Sequence, residues 1–459
     1  MSNSDGVSDN GNGHNPTEID ADELRRRLPK RDADKGREPN LVPGLLGHRL
    51  VSIAALLERI EGAFMEEFAD TDAMREANTR TKKLQLILET ANYILAVESV
   101  QLAPDEKAEL IRRAYSNIFT YGPLDALFAD ERITTISLEG VDKISARYGH
   151  ADLVPLSAIF EDESHLRSVV GRMVRDSGAE LRFDQPYIEA GFQTEGRPIS
   201  INLVAPPVTM QLTADIRLHP ANALTLDDLV ETDFMTPQAA ILLRALMASP
   251  HGFVIAGDVE SGKTTLLTAL ARELPRPLDT VSVERAGELR LPEGVKRLTV
   301  QWPVKDEPGI SFGDQIGVAL QRVPACILLD EVRADEPESI APLLTGANAP
   351  RQIWTFRGAV ESKRLRNALG MLARRADATR SDLMARALYE RIPFVVSVRW
   401  KRFDKKLQLR SVGEWQFLNG NNEYPEYVLL MENEASGLAL TGKRSTLPLG
   451  LPEEFWNAE

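Results

Sequence analysis

The stretch Gly257-Asp-Val-Glu-Ser-Gly262-Lys263-Thr264 constrains this chain more than any other. It stands between the apolar run Phe253-Val-Ile-Ala256 and the helical-looking Thr265-Leu-Leu-Thr-Ala-Leu-Ala-Arg272. Strand, glycine-containing turn and helix in that order turn main-chain N–H groups inward around a phosphate, and the helix N-terminus adds its partial positive charge. The candidate binding set is Gly257, Ser261, Gly262, Lys263, Thr264 and Thr265. Lys263 would put a point charge on the β- and γ-phosphates, and Thr264 would hold Mg²⁺ through its hydroxyl. Such a chain binds a nucleotide or descends from chains that did.

At 459 residues the chain exceeds what one core organises, so two or three domains are expected, and 43% apolar residues suffice to fill them. A net charge of −14 and a pI near 5.2 argue against sequence-independent nucleic-acid binding, which needs a cationic field to displace counterions. The single cysteine, Cys326, excludes an intramolecular disulfide and a cysteine-cluster zinc site, and suits a reducing cytoplasmic setting. No apolar stretch approaches 18 residues, and the first residues lack the basic-then-apolar order of a signal peptide. Membrane contact is therefore expected only through partners or a surface.

Residues 1–39 are polar and nearly free of aromatics, which reads as a disordered tail. Helical spacing over 40–119, as in Leu84-Gln-Leu-Ile-Leu-Glu-Thr-Ala-Asn-Tyr-Ile-Leu95, predicts a helical extension. Short β-branched segments, among them Ile133–Leu138, Lys143–Tyr148, Pro198–Val204 and Met210–Arg217, predict an α+β domain over 120–220 with one helix at His165–Val174. A linker at 221–235 leads into 236–430, where strands alternate with helices as in a parallel sheet covered on both faces. From 431 to 459 the Gly, Ser and Pro content reads as a mobile tail, with Phe455-Trp456 as an anchor.

The apolar strand Cys326-Ile-Leu-Leu-Asp330-Glu331 ends in two acids about 65 residues after the phosphate loop. A buried parallel strand carries its C-terminal end to the ligand side of the sheet. Asp330 would then help to hold the metal, and Glu331 would orient or deprotonate the attacking water. A strand between them, Thr280-Val-Ser-Val-Glu284, also ends in an acid; Glu284 and Glu288 either reach the metal and water or form a solvated loop.

An ordered series of motifs over about residues 100–420 resembles the secretion ATPases that drive type II and type IV secretion and type IV or Tad pili, most nearly the CpaF-like Tad branch. The series comprises Tyr121-Gly-Pro-Leu-Asp through Ile136, Gly196-Arg197-Pro-Ile-Ser-Ile-Asn202 with Pro206-Pro207, and Ile216-Arg217. It continues through the phosphate loop, Ser282-Val-Glu284, Glu288-Leu-Arg-Leu291 and Leu329-Asp-Glu-Val-Arg333. The resemblance implies an α/β protein: a RecA-like P-loop NTPase domain preceded by an α+β PAS-like domain and the helical extension. It also implies a homo-hexamer with ATP and Mg²⁺ bound between the two domains. Carried over by position, Lys263 and Thr264 bind phosphate and metal, Glu331 is the catalytic acid and Glu284 belongs to an acidic box. Arg197, Arg217 and Arg333 sit where the family's arginines approach phosphates or adjoining domains; the alternative for Arg197 and Arg217 is a surface carboxylate partner.

Departures from the family pattern bear on catalysis. Glu260 replaces a loop glycine: at about 5 Å from a phosphate charge and a dielectric near 20, repulsion would be roughly 3 kcal/mol. A non-glycine residue at positive φ would add about 1–2 kcal/mol. Arg285 stands where the family has an acid, and no histidine follows His251, so Ala347 and Arg357 fall at the two positions of the family's histidine box. Arg357 could supply a fixed charge there. Lys401, Arg402 and Lys405 offer a docking face for inner-membrane platform proteins or a merely solvated face. The leading expectation is an ATP-hydrolysing hexameric motor, cytoplasmic and peripheral to the membrane, with no nucleic acid as partner. The alternative is a catalytically weakened, nucleotide-binding regulatory subunit of the same machinery.

Overall fold

The computed structural model describes residues 41–43, 50–69, 71–194, 196–276, 278–346, 348–358, 360–401, 406–417, 425–434 and 437–457. The tail expected over 1–39 lies outside them, as do Ala347, Arg402 and Lys405. Two compact units divide the chain: Met1–Arg172 with Thr209–Asp215, and Met173–Val208 with Ile216–Glu459.

In the first unit, the helices Ile53–Phe68, Arg80–Val97 and Pro104–Phe119 enclose Leu56, Ile60, Phe64, Ile87 and Leu110. Ser52 and Thr79 start the first two by accepting the N–H groups of Ala55 and Lys82, and Pro104 opens the third at a position that needs no N–H donor. Where only helix was expected, β1 (Leu41–Pro43) and β2 (Leu50–Ser52) pair antiparallel. Pro43 is unsuited to a helix interior, and helical order begins only at the Ser52 cap. Next, β3 (Ile133–Glu139), β4 (Lys143–Tyr148) and β5 (Val154–Leu156) form an antiparallel meander. The turn after β3 uses Gly140 at φ 64°, where a Cβ would run into the Gln211 side chain.

The second unit contains the hairpin of β6 (Tyr187–Thr194) and β7 (Arg197–Val204). The strand expected at Met210–Arg217 is β8, Thr213–Leu218, which crosses the boundary between the units in sequence. A nine-stranded sheet dominates this unit. Its strands are β9 (Phe253–Gly257), β10 (Thr280–Glu284), β11 (Lys296–Thr299), β12 (Cys326–Val332), β13 (Arg351–Arg357), β14 (Phe394–Lys401), β15 (Lys406–Gln416), β16 (Glu426–Glu434) and β17 (Gly437–Leu440). Their order is β11-β10-β12-β13-β9-β14-β15-β16-β17, parallel through β14 and antiparallel beyond it. This is an α/β fold.

Strand period two assigns the core. Phe253 and Ile255 face one layer with Leu242, Leu246, Leu266 and Leu270, from the helices Pro237–Ala248 and Lys263–Ala271. Val254 and Ala256 face the other layer with Ile316, Leu369 and Leu388, from the helices Phe312–Gln321, Ser362–Ala376 and Ser381–Arg391. Both faces of β9 are thus covered, which is why its sequence reads as an unbroken apolar run.

The segment expected to be a mobile tail from 431 instead completes β16, supplies β17 and ends in the short helix Glu453–Trp456. Leu438 and Leu449 are buried, and Leu440, Leu447, Leu451 and Phe455 pack beside them. Apolar residues spaced among glycines, serines and prolines supply that packing, and composition alone hides them.

Candidate functional site

Because β9, β10 and β12 are parallel, their C-terminal ends open on one side of the sheet, and the loops that follow them meet there. One strand, β13, separates β9 from β12. The turn after β9 is tight. A Cβ on Gly257 would collide with Ser261 Oγ and lie 2.8 Å from the Val398 carbonyl, and Gly262 takes φ 89°. Gly262 is also the N-cap of the helix Lys263–Ala271 and supplies no side-chain acceptor, so the first-turn N–H groups lack the usual side-chain partner. Thr264 and Thr265 lie in that first turn. Ser261 Oγ is buried and, among the described residues, has no hydrogen-bond partner.

Lys263 is nearly buried, and its Nζ donates to the Asp258 carbonyl at 2.8 Å and lies 3.1 Å from Glu331 Oε2. Thr264 Oγ1 lies 3.4 Å from Asp330 Oδ1, the same oxygen that accepts from Thr355 Oγ1 at 2.8 Å. Burial, followed by the carboxylates of Glu288 and Glu284, holds the Asp330 carboxyl well above its ordinary range. Glu331 faces a second cation: Arg333 Nε is 3.6 Å from its Oε1, while Arg333 Nη2 donates to Glu189 Oε1 on β6 at 2.6 Å. Burial works against the charged Arg333 guanidinium, but the Glu189 bond and the surrounding carboxylates raise it above its ordinary value.

The remaining predicted residues divide. Arg217 Nε stands 4.0 Å from Glu260 Oε1, and Glu260 adopts φ 58°. Arg197 is buried and donates from Nε to the His219 carbonyl at 2.9 Å. His219 Nε2 in turn lies 3.4 Å from Glu288 Oε2. Burial tends to push Glu288 up, yet His219, Ser200 and Arg217 hold its carboxyl down at about 2. Glu284 is wholly buried: it accepts from Ser282 Oγ at 2.8 Å, the Leu289 N–H at 3.0 Å and Arg297 Nε at 2.9 Å. It is thus tied to its own and the neighbouring strand, and burial raises its pKa. Arg285 turns to Glu336, with two bonds of 3.0 Å, and stacks over Phe312. Arg357 is exposed at the end of β13, in register with Gly257.

Sequence reading missed Glu189, His219, Thr355 and Arg297. None belongs to a local motif; each reaches the site through strand pairing or a hairpin distant in the chain. The groups present suit a phosphate ligand and a divalent cation. Among the described residues Ser261 Oγ is a buried polar atom without a partner, and no side chain caps the helix that opens at Gly262. Thr264 and Asp330 supply the hydroxyl–carboxylate pair with which Mg²⁺, bound mostly to phosphate and water, is ordinarily held. Chemically the arrangement offers anion binding at the loop, with a cation-flanked carboxylate across the intervening β13.

Residues 188–389, which contain every side chain of this site, match the family model described as Type II/IV secretion system protein. The chain is 28% identical over 232 residues to a putative conjugal transfer protein of Mycobacterium tuberculosis, a match covering 49% of this chain and 66% of that protein. It is 25% identical over 264 residues to the type IV secretion system protein VirB11 of Brucella suis, covering 51% and 71%. Among solved structures, the ATPase DotB of Legionella pneumophila aligns over 64% of this chain and 80% of its own, at 14% identity and a TM-score of 0.46. The match spans just under two thirds of the length of the mycobacterial relative. The family model and the sequence relatives alike make this chain similar to type II/IV secretion system proteins over about half of its length.

Proposed function

We propose that this chain is an ATP-hydrolysing motor subunit of a pilus-assembly or secretion system, of the CpaF-like Tad branch. On this reading residues 120–220 are a PAS-like domain, 221–235 a linker and 236–430 a RecA-like ATPase domain. The subunit works as a homo-hexamer in the cytoplasm, at the inner face of the membrane, where it pushes on platform proteins. Among the described residues no helix is long and apolar enough to cross a membrane, so force would pass through such partners.

The observation that carries the reading is the meeting of Lys263 and Thr264 with Asp330 and Glu331 at the ends of β9 and β12. Mg²⁺-ATP, when bound, supplies the scissile phosphoryl group and a divalent charge that offsets the negative charge developing during transfer. Lys263 and the loop N–H groups bind phosphate oxygens, with Gly257, Ser261, Gly262 and Thr265 shaping the cradle, and Thr264 and Asp330 hold the metal. Glu331 orients or deprotonates water. Arg333, braced by Glu189, fixes the Glu331 carboxylate, and Glu284 acts as a buried strut rather than as a group touching substrate. Arg217 and Arg197 approach from the β7–β8 side, and Arg357 takes the place of the family's histidine.

A second reading, a nucleotide-gated regulatory subunit with little turnover, is favoured by Glu260, a carboxylate inside the loop that already occupies Arg217. Steady-state ATP hydrolysis and nucleotide binding, measured on wild type, Lys263→Ala and Glu331→Gln, separate the two. Loss of turnover in both variants, with binding kept in Glu331→Gln, supports the motor. Tight binding without turnover in the wild type, even with membranes added, would sink it in favour of the regulator.

A further inference from the structure

Beyond the C-terminal end of the loop-bearing helix lies a cleft of about 540 Å³ that none of the roles above uses. Arg272, Arg276, Arg290 and Arg297 converge on it, with Leu291 and Pro292 forming an apolar side. The helix Lys263–Ala271 has nine residues, so its length, about 13 Å, separates this cleft from the phosphate loop. Four guanidinium groups in one concavity of a chain with net charge −14 form a local inversion of its field.

The partners of these arginines leave that charge largely unanswered. Among the described residues only Arg297 is paired with a carboxylate, Glu284 at 2.9 Å, and its other bond goes to the Leu289 carbonyl. Arg272 donates to the Ala223 carbonyl at 3.3 Å, with an electrostatic interaction with Asp228 besides. Arg290 donates to the Gly196 carbonyl, and its Nε is buried with no acceptor among the described residues. Burial, and then the cation of Arg297, lower the Arg290 pKa from its ordinary value, as happens where cations are crowded without an anion.

We propose that this arginine cleft is a second binding site, for a small phosphate-bearing ligand distinct from the nucleotide of the phosphate loop. Planar guanidinium forks are the groups best matched to phosphate oxygens, and the cavity lies in the size range of sites for single small molecules. Its apolar side would take the uncharged body of such a ligand. A cleft of this volume matches a small molecule better than an acidic segment of a second protein.

Inorganic pyrophosphate is the probe, titrated calorimetrically into the full chain with the phosphate loop saturated by Mg²⁺ and ATPγS. The expected result is saturable binding of one equivalent, at least tenfold weaker in Arg272→Gln/Arg276→Gln, whose ATPγS affinity is unchanged. Both side chains are exposed, so the substitutions spare the core. If ATPγS does not bind, the same titration on Lys263→Ala reads the cleft alone and keeps this proposal separate from the reading of the loop. Displacement of pyrophosphate by ADP at lower concentration assigns the site to nucleotides, and failure of ADP to compete assigns it to simpler phosphate compounds. Absence of saturable binding, or binding indifferent to the arginine substitutions, overturns the proposal. So does a variant whose only defect is loss of self-association, which would assign the cleft to an acidic segment of a second copy.

Discussion

Lys263 Nζ and Glu331 Oε2 stand 3.1 Å apart, so the loop lysine and the acid at the end of β12 are each other's counterions. The lysine is shared between that carboxylate and the Asp258 carbonyl. Any phosphate that draws Lys263 toward itself must compete with Glu331. Replacing Glu331 by Gln removes the competing charge while keeping the shape. Nucleotide affinity in a fluorescence titration should rise a few-fold, by about 1 kcal/mol, while turnover should fall about 100-fold or more. Weakened binding in Glu331→Gln would mean that the acid supports the ligand rather than competing with it.

Glu260 holds φ 58° within the loop, with its carboxylate near Arg217. Glu260→Gly should relieve backbone strain and stabilise the protein by up to about 1 kcal/mol in urea denaturation. It should also strengthen nucleotide binding by removing a negative charge beside the ligand and freeing Arg217. A stability loss would show that the Arg217 contact outweighs the strain.

Asp330 is a buried carboxyl held well above its ordinary value of 3.8, first by burial and then by Glu288 and Glu284. In the folded chain it keeps its proton to higher pH than in the unfolded chain. Its contribution is therefore fully present below the unfolded value and is lost as pH rises through the folded one. Asp330→Asn should raise the thermal midpoint of the ligand-free protein at pH 7 and reduce its loss of stability with rising pH. The same change should raise the Mg²⁺ concentration for half-maximal ATP hydrolysis by about tenfold.

Glu288 behaves in the opposite sense. Its carboxyl is depressed from 4.5 to about 2, because His219, Ser200 and Arg217 outweigh the effect of burial. The stability it contributes is present above about 4.5 and is lost as pH falls toward about 2. Glu288→Gln should lower stability at pH 6. Over the acid window it should also flatten the dependence of unfolding free energy on pH by up to one proton, about 1.4 kcal/mol per pH unit. Denaturant curves taken at intervals from pH 6 to about pH 3 read the slope; an unchanged slope would show that this cluster does not form in solution.

What the sequence made legible was whatever repeats locally. The order of strand, loop and helix around Gly262 was readable because the turn chemistry and the apolar period fall within some twenty residues of one another. The alternation of strands and helices to β14 was readable for the same reason. The pairing of Arg333 with Glu189 was not, because 144 positions separate them and nothing in either neighbourhood marks the other. Arg285 read as a cation misplaced in an acidic motif, whereas it is pinned to Glu336 and the face of Phe312. The edge strand β17 and its neighbour β16 were hidden by turn-forming residues between their leucines. Charge pairing and edge-strand closure are decided by the assembled fold, and a one-dimensional pattern carries little of either.

The strand between β9 and β12 sets a dimension. Neighbouring strands lie about 4.8 Å apart, so β13 keeps the gripping loop and the acid pair about 9.6 Å apart at the backbone, and only side chains close that span. Thr355, on β13, already bonds to Asp330 from within the gap. The middle strand therefore works as the fixed spacer of a vice whose jaws are Lys263 and Glu331. A shift of β13 along its neighbours would carry Thr355 past Asp330 and Arg357 past Gly257 together, altering the grip at both jaws in a single movement.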